Sequence, residues 1–386
     1  MNSSPPPRPV MQAPPGPETV IDGRTYLYFG GTSYLGLHGE PSIIEAACAA
    51  MRRYGIHTAT SRRGFGNNPP TLEVERLAAA FFGTADAFYF VSGYLGTAVL
   101  IHALEGDFDV ILADEHCHFS MMEAARLPGR PIHSFRHRDP AGLADSLRVH
   151  APPPARPLVL TDGVFPSSGG IAPLGAYMGV LADRAGAILL VDDAHGVGTI
   201  GHQGRGTLEH LGLWSASINA EADECSPGAT RLCLCATLSK ALGGFGGIVT
   251  GSGRFMARAR SASHYFDAAS APPTAAAAAS ARALELVRAR PDLRDRLAHN
   301  VRRVRQGLRD LGLSIEDGPA PIVAASCGPA EYMERLHEEL KARGILVPYV
   351  RSYCGVGPEG VLRIAVCAGH SDTMIDALLA ELRRLL

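Results

Sequence analysis

The apolar positions of the chain fall into two kinds of run. FYFVSG (88–93), DVILAD (109–114), PLVLTDGVF (157–165), AILLVDDAHG (187–196) and RLCLCATLSK (231–240) open on short, nearly unbroken apolar runs that end in polar or glycine residues. Runs of this length and composition predict strands buried on both faces. SIIEAACAAMRRYG (42–55) and TLEVERLAAAFFG (71–83) instead repeat apolar residues near every 3.6 positions, the period of a half-buried helix, and LADRAG (181–186) reads as helical. Strands alternating with helices predict an α/β fold: a mostly parallel central sheet with helices on both faces. TYLYFGG (25–31) reads as a short strand ahead of that region.

The pattern changes near residue 271. The stretch to residue 313 reads as long helix broken near Pro291, followed by weaker strands at IVAAS, ILVPYV and VLRIAVC and an amphipathic end, HSDTMIDALLAELRRLL. The expected organisation is an N-terminal arm and short segment (1–40), a large domain (41–270) and a small C-terminal α+β domain (271–386). The proline-rich opening, residues 1 to about 18, is expected to be a flexible arm.

Composition narrows the class of function. A chain of 386 residues can bury one large core and add a smaller domain. Its 36 basic and 38 acidic residues nearly balance and form no basic block, so nucleic acid is not an expected partner. The eight cysteines follow no framework and read as reduced thiols of a cytoplasmic protein. No signal-peptide core or membrane-length apolar run is present in the sequence. His116-Cys117-His118 and Cys233-Leu234-Cys235 lack C-x-x-C spacing, so no metal site is expected.

The chemistry gathers where strands end, which is where open parallel sheets bind ligands. Ser92, Asp114, His118, Asp162, Asp192, His195 and Lys240 all lie at or just after the end of an apolar run. In ATLSKALGGFGG, Lys240 follows a buried run, and an ammonium there is costly unless it is paired or used. Pyridoxal phosphate needs a lysine amine, an anion for its ring nitrogen and donors for its phosphate. Lys240 and Asp192 supply the first two; the Ser92-Gly93-Tyr94 turn at a helix start and the hydroxyl of Thr237 suit the third. GVGTIG (196–201) fits G-x-G-x-x-G, but HQGRGTLEH follows it instead of an apolar helix, which argues against a dinucleotide site.

DDAHGVGTIG, TLSKALGGFGG, the SGY turn, DEHCHFSM and DGVF together resemble the α-oxoamine synthases, pyridoxal phosphate enzymes of fold type I, from about residue 28 to residue 371. The resemblance implies Lys240 as the Schiff-base lysine and proton carrier, Asp192 at the pyridine nitrogen, His195 at the phenolic oxygen and His118 on the ring face. It implies Ser92, Gly93, Tyr94 and Thr237 at the phosphate, Arg363 at the amino-acid carboxylate, and Ser33 and Arg62 near the substrate. It further implies a homodimer acting on an amino acid and an acyl thioester, from acyl-CoA or a carrier protein, with loss of carbon dioxide. Two alternatives stay open: a changed reaction on the same cofactor (aldolase, racemase or aminotransferase), or a non-catalytic binding subunit.

Overall fold

The structure, a computed structural model, describes residues 8–215, 217–226 and 228–386. Its strands are β1 (Glu18–Ile21), β2 (Arg24–Tyr28), β3 (Asp86–Phe90), β4 (Val110–Asp114), β5 (Ile132–Phe135), β6 (Pro157–Asp162), β7 (Ile188–Asp192), β8 (Arg231–Thr237), β9 (Gly247–Gly251), β10 (Ile322–Ala325), β11 (Ile345–Leu346), β12 (Tyr349–Val350) and β13 (Val361–Ala365). Seven of them make the central sheet, in the order β3-β9-β8-β7-β6-β4-β5. β4 to β8 run parallel, while β9 is antiparallel to both of its neighbours, β8 and β3. Every residue of β4, β6, β7, β8 and β9 is buried. Alternate residues feed two cores on opposite faces: Val159, Leu189 and Leu234 enter one, Leu158, Leu160, Leu190 and Cys233 the other. That two-sided burial is why these runs carry no polar alternation.

Helix α1 (Pro41–Tyr54) and helix α2 (Pro69–Phe82) follow the expected apolar spacing. Asn68 caps α2 by accepting from the Thr71 amide at 3.0 Å, and the chain leaves through Gly83 at φ +69°. The long C-terminal helical stretch is divided at the expected place, into Thr274–Ala289 and Asp292–Asp310. Pro291 has no amide hydrogen with which to continue the first helix.

The N-terminal segment departs from its expectation. Residues 1–7 lie outside the described residues, but from Val10 on the chain is not a free arm. The Gln12 amide donates to Val20 O at 2.8 Å and the Asp22 amide to Val10 O at 3.0 Å, so this stretch lines the edge of the β1–β2 hairpin. Unpaired edge amides of β1 gave it a template, which composition does not reveal. The hairpin turns at Asp22 and Gly23, both with positive φ. β2 then pairs in parallel with β11, Leu27 opposite Ile345, which ties the N-terminal strands to the C-terminal region. A second small sheet, β10-β13-β12, lies beside it in sequence.

Candidate active site

Because β3 runs in the same sense as β4, β6, β7 and β8, five strands present their carboxyl ends along one edge of the sheet. A cavity of about 510 Å³ opens there. It is lined by Ser92, Gly93 and Tyr94 beyond β3, His118 and Ser120 beyond β4, and Asp162 at the end of β6. Asp192 and His195 from β7, and Thr237, Ser239 and Lys240 from β8, complete the sheet side. Val350, Tyr353 and Arg363 close it from the C-terminal region.

Lys240 is held by the loop between β8 and β9. The Leu238 amide donates to Gly246 O at 2.9 Å, and the Gly244 amide returns to Leu238 O at 2.8 Å. A side chain at Gly246 would start 2.5 Å from the Tyr89 ring, at φ +105°, so the glycines permit a loop too tight for other residues. Lys240 Nζ lies 3.0 Å from His195 Nε2, and His195 Nδ1 lies 2.8 Å from Tyr34 Oη. Burial lowers the Lys240 amine from its ordinary value, with the Asp192 and Asp162 charges pulling it back. Burial, and next the Lys240 charge, hold His195 well below the usual histidine range.

Asp162 and Asp192 are register partners at the ends of β6 and β7. Burial, reinforced by the Asp192 charge, pushes Asp162 well above the usual carboxylate range. Burial raises Asp192 too, with the Lys240 charge opposing, and the Ala194 amide donates to its carboxylate at 3.1 Å. Asp162 accepts the His118 amide at 2.9 Å. The His118 ring is fixed at both nitrogens, Nδ1 2.7 Å from Ser120 Oγ and Nε2 2.8 Å from Tyr353 Oη.

Arg363 donates from Nε to Pro166 O at 2.7 Å, from one terminal nitrogen to Gly31 O at 3.2 Å and from the other to Tyr34 Oη at 3.3 Å. Three of a guanidinium's five N–H groups are thereby used, leaving one on each terminal nitrogen for a carboxylate. The turn after β3 fits a phosphate. Ser92 caps it by accepting the Tyr94 amide at 3.3 Å, and a Cβ on Gly93 would lie 2.6 Å from Thr237, so glycine alone lets this backbone close on the Thr237 hydroxyl. Amine, carboxylate, imidazoles and this cradle form a donor set suited to pyridoxal phosphate.

Two residues expected near the substrate do not face the cavity. Ser33 is buried and its hydroxyl is 2.7 Å from His38 Nδ1; its neighbour Thr32 lines the cavity instead. Arg62 is 3% exposed and forms a two-pronged ion pair with Glu75, at 2.6 and 2.9 Å, besides donating to Tyr89 O. The glycines of GVGTIG and GRG also find their use here. A Cβ at Gly196 or Gly206 would lie 2.1 or 2.0 Å from the Asp193 carboxylate. These glycines wrap a buried acid, bonded to the Thr207 amide and hydroxyl at 2.6 Å each, that burial pushes up to about 6. Tyr34, Ser239 and Tyr353 were not singled out from sequence; only the YLGL context of Tyr34 offered a signal.

A family model of aminotransferase class I and II matches residues 25–382. An 8-amino-7-oxononanoate synthase of Pseudomonas putida is 36% identical over 376 residues, covering 97% of this chain and 92% of that protein. A solved serine palmitoyltransferase of Sphingomonas wittichii has a TM-score of 0.88 and 28% identity, covering 98% of this chain and 91% of that one. An SPT solved with its PLP internal aldimine has a TM-score of 0.88 and 26% identity over 98% of this chain and 92% of its own.

Proposed function

The chain belongs to the aminotransferase class I and II family and, within it, to the α-oxoamine synthases, pyridoxal phosphate enzymes of fold type I, and on that premise we propose that it joins an amino acid to an acyl thioester, releasing carbon dioxide and an α-aminoketone. The observation that carries this reading is the meeting of Lys240, Asp192, His195 and Arg363 in one cavity.

Bound there, the cofactor supplies an aldehyde that takes up amines and a ring that accepts electron density from the adjoining carbon. Lys240, whose ammonium form burial disfavours, would be the amine that holds the aldehyde and would carry the substrate's α-proton. Asp192 would pair with the ring nitrogen and favour its protonated form, His195 would donate to the phenolic oxygen and His118 would cover the ring face. Ser92, the Gly93–Tyr94 backbone and Thr237 would hold the phosphate. The two free N–H groups of Arg363 take the amino-acid carboxylate as a planar pair.

The relatives' product suggests the first substrates to try. In 8-amino-7-oxononanoate, the two carbons bearing and following the amine correspond to alanine without its carboxylate, and the other seven to an ω-carboxyacyl group. The single chain leaves Ile56, Phe65, Leu72, Phe119 and Phe245 exposed, with Phe245 on the cavity wall, which supports a homodimer that covers apolar surface. Among the described residues no helix is long and apolar enough to cross a membrane, in keeping with a cytoplasmic enzyme. The division we propose is a segment over 1–40, a large domain over 41–270 and a small one over 271–386, with the β2–β11 pairing attaching the first segment to the last.

The test is the visible absorbance of purified protein beside Lys240→Ala, followed by assays for carbon dioxide and free thiol. A yellow band in the wild type, abolished by borohydride and missing from the variant, with carbon dioxide and thiol released together, is the expected outcome. Product from amino acid alone would assign one of the changed reactions; a colourless protein that takes up no added cofactor would make it a binding subunit.

A further inference from the structure

The active-site cavity contains a chain of hydrogen bonds that no assigned role accounts for. It runs Arg363, Tyr34 Oη, His195, Lys240 Nζ, with links of 3.3, 2.8 and 3.0 Å. Its direction follows from what each group can donate. Arginine has only donors, so Arg363 gives a proton to Tyr34 Oη. The Tyr34 hydroxyl is 1% exposed, and His195 Nδ1 is the acceptor it reaches among the described residues. If His195 instead carried its proton on Nδ1 and pointed it at Tyr34, the tyrosine oxygen would accept twice and its own buried proton would have no partner. An unsatisfied buried donor is costly, so that arrangement loses.

We propose that Tyr34 is a positioning residue that, oriented by Arg363, fixes the His195 proton on Nε2, so that His195 donates to Lys240 and holds the lysine as a neutral acceptor. The inference deepens the reading above and rests on it only for the use made of Lys240; the proton's position is independent of the reaction catalysed. A neutral lysine is the form that attacks an aldehyde, and an Nε2 proton is what a phenolic oxygen needs once the lysine has reacted. Burial agrees, since it disfavours charge on both Lys240 and His195. The free N–H groups of Arg363 allow a substrate carboxylate to dock without releasing Tyr34, so the histidine stays oriented while substrate is exchanged.

The experiment is long-range ¹H–¹⁵N correlation of the full chain labelled at histidine, as purified and again after cofactor removal, with the His195 signal assigned by its loss in His195→Gln. The expected result is an Nε2-protonated ring in both states. Tyr34→Phe is expected to mix the two tautomers and to slow recapture of added pyridoxal phosphate about ten-fold, with its melting transition retained. A wild-type ring protonated on Nδ1 would overturn the proposal, as would a folded Tyr34→Phe with an unchanged tautomer. Should that variant fail to fold, the wild-type ring carries the test in both states: a proton on Nε2 before and after cofactor removal supports the proposal, and a proton on Nδ1 in either state refutes it. The yellow band of the purified wild type reports the cofactor separately, so a failure of the functional reading would be seen as such.

Discussion

At the scale of single residues, buried polar groups in this chain are kept by specific partners, and His370 is the case with the clearest consequence. Its Nδ1 accepts the Cys367 amide at 3.0 Å, its Nε2 meets Tyr28 O at 3.1 Å, and the ring stacks on Phe29 at 4.2 Å. Burial lowers it from 6.5 to about 4. A histidine depressed in the folded state contributes stability that is present above the unfolded value and lost as pH falls toward the folded one. Between pH 6.5 and 4 the loss amounts to about 3 kcal/mol. His370→Gln is expected to be the less stable protein at pH 7, with a gap to wild type that narrows toward pH 4.5 in urea titrations. A constant gap would contradict the assignment. His370 ends the stretch of resemblance, yet nothing in its neighbourhood says that its ring turns inward.

At the scale of elements, the loop ahead of α2 shows how a charged residue can be structural in an enzyme full of functional ones. Arg62 reaches from that loop to Glu75 on α2 and to the carbonyl of Tyr89 on β3, while the Tyr89 amide donates to Glu75 at 2.9 Å. The pair thus fastens loop, helix and sheet edge. Arg62→Ala strips the buried Glu75 of its two-pronged partner and leaves it only Arg260, at 3.8 Å, and such a break costs about 3 kcal/mol. The expected outcome is a loss of that size in urea unfolding, largely recovered by adding Glu75→Gln, with the substrate KM of the folded variant unchanged. A raised KM with full stability would return Arg62 to the substrate site. Arginine in a glycine-rich loop reads the same in either role, which is why the sequence expectation and the structure part company there.

At the scale of the whole molecule, the site lies where the large sheet, the N-terminal strands and the C-terminal region meet. Thr32 and Tyr34 follow the N-terminal strands, Arg363 and Tyr353 belong to the C-terminal region, and the β2–β11 pairing ties the two together. Several large apolar side chains are left exposed, with Phe65 93% exposed and Tyr94 and Phe245 on the cavity wall. Burying them against a second copy offsets the cost of exposing apolar surface. Phe65→Asp is expected to shift sedimentation from dimer toward monomer and to weaken cofactor retention at low protein concentration. A wild type that sediments as a monomer at all concentrations would remove the dimer from the reading.

Local pattern determined five strands of the large sheet, β3, β4, β6, β7 and β8: their nearly unbroken apolar runs specify burial on both faces, and strands running in one sense gather their carboxyl ends; β5 and the antiparallel β9 were not among the runs read. Ser92, His118, Asp192, His195 and Lys240 were therefore legible as neighbours, because their place after a strand is a matter of chain order. What joins them to one another was decided in three dimensions. Tyr34, Tyr353 and Arg363 reach the site from chain segments far from those strands. The direction of a side chain sets apart Thr32 from Ser33 and a substrate arginine from a structural one, and hydropathy does not encode it. Residues 10–17 read as free arm because their order comes from edge amides offered by a hairpin, a partner that exists only once the tertiary structure has formed.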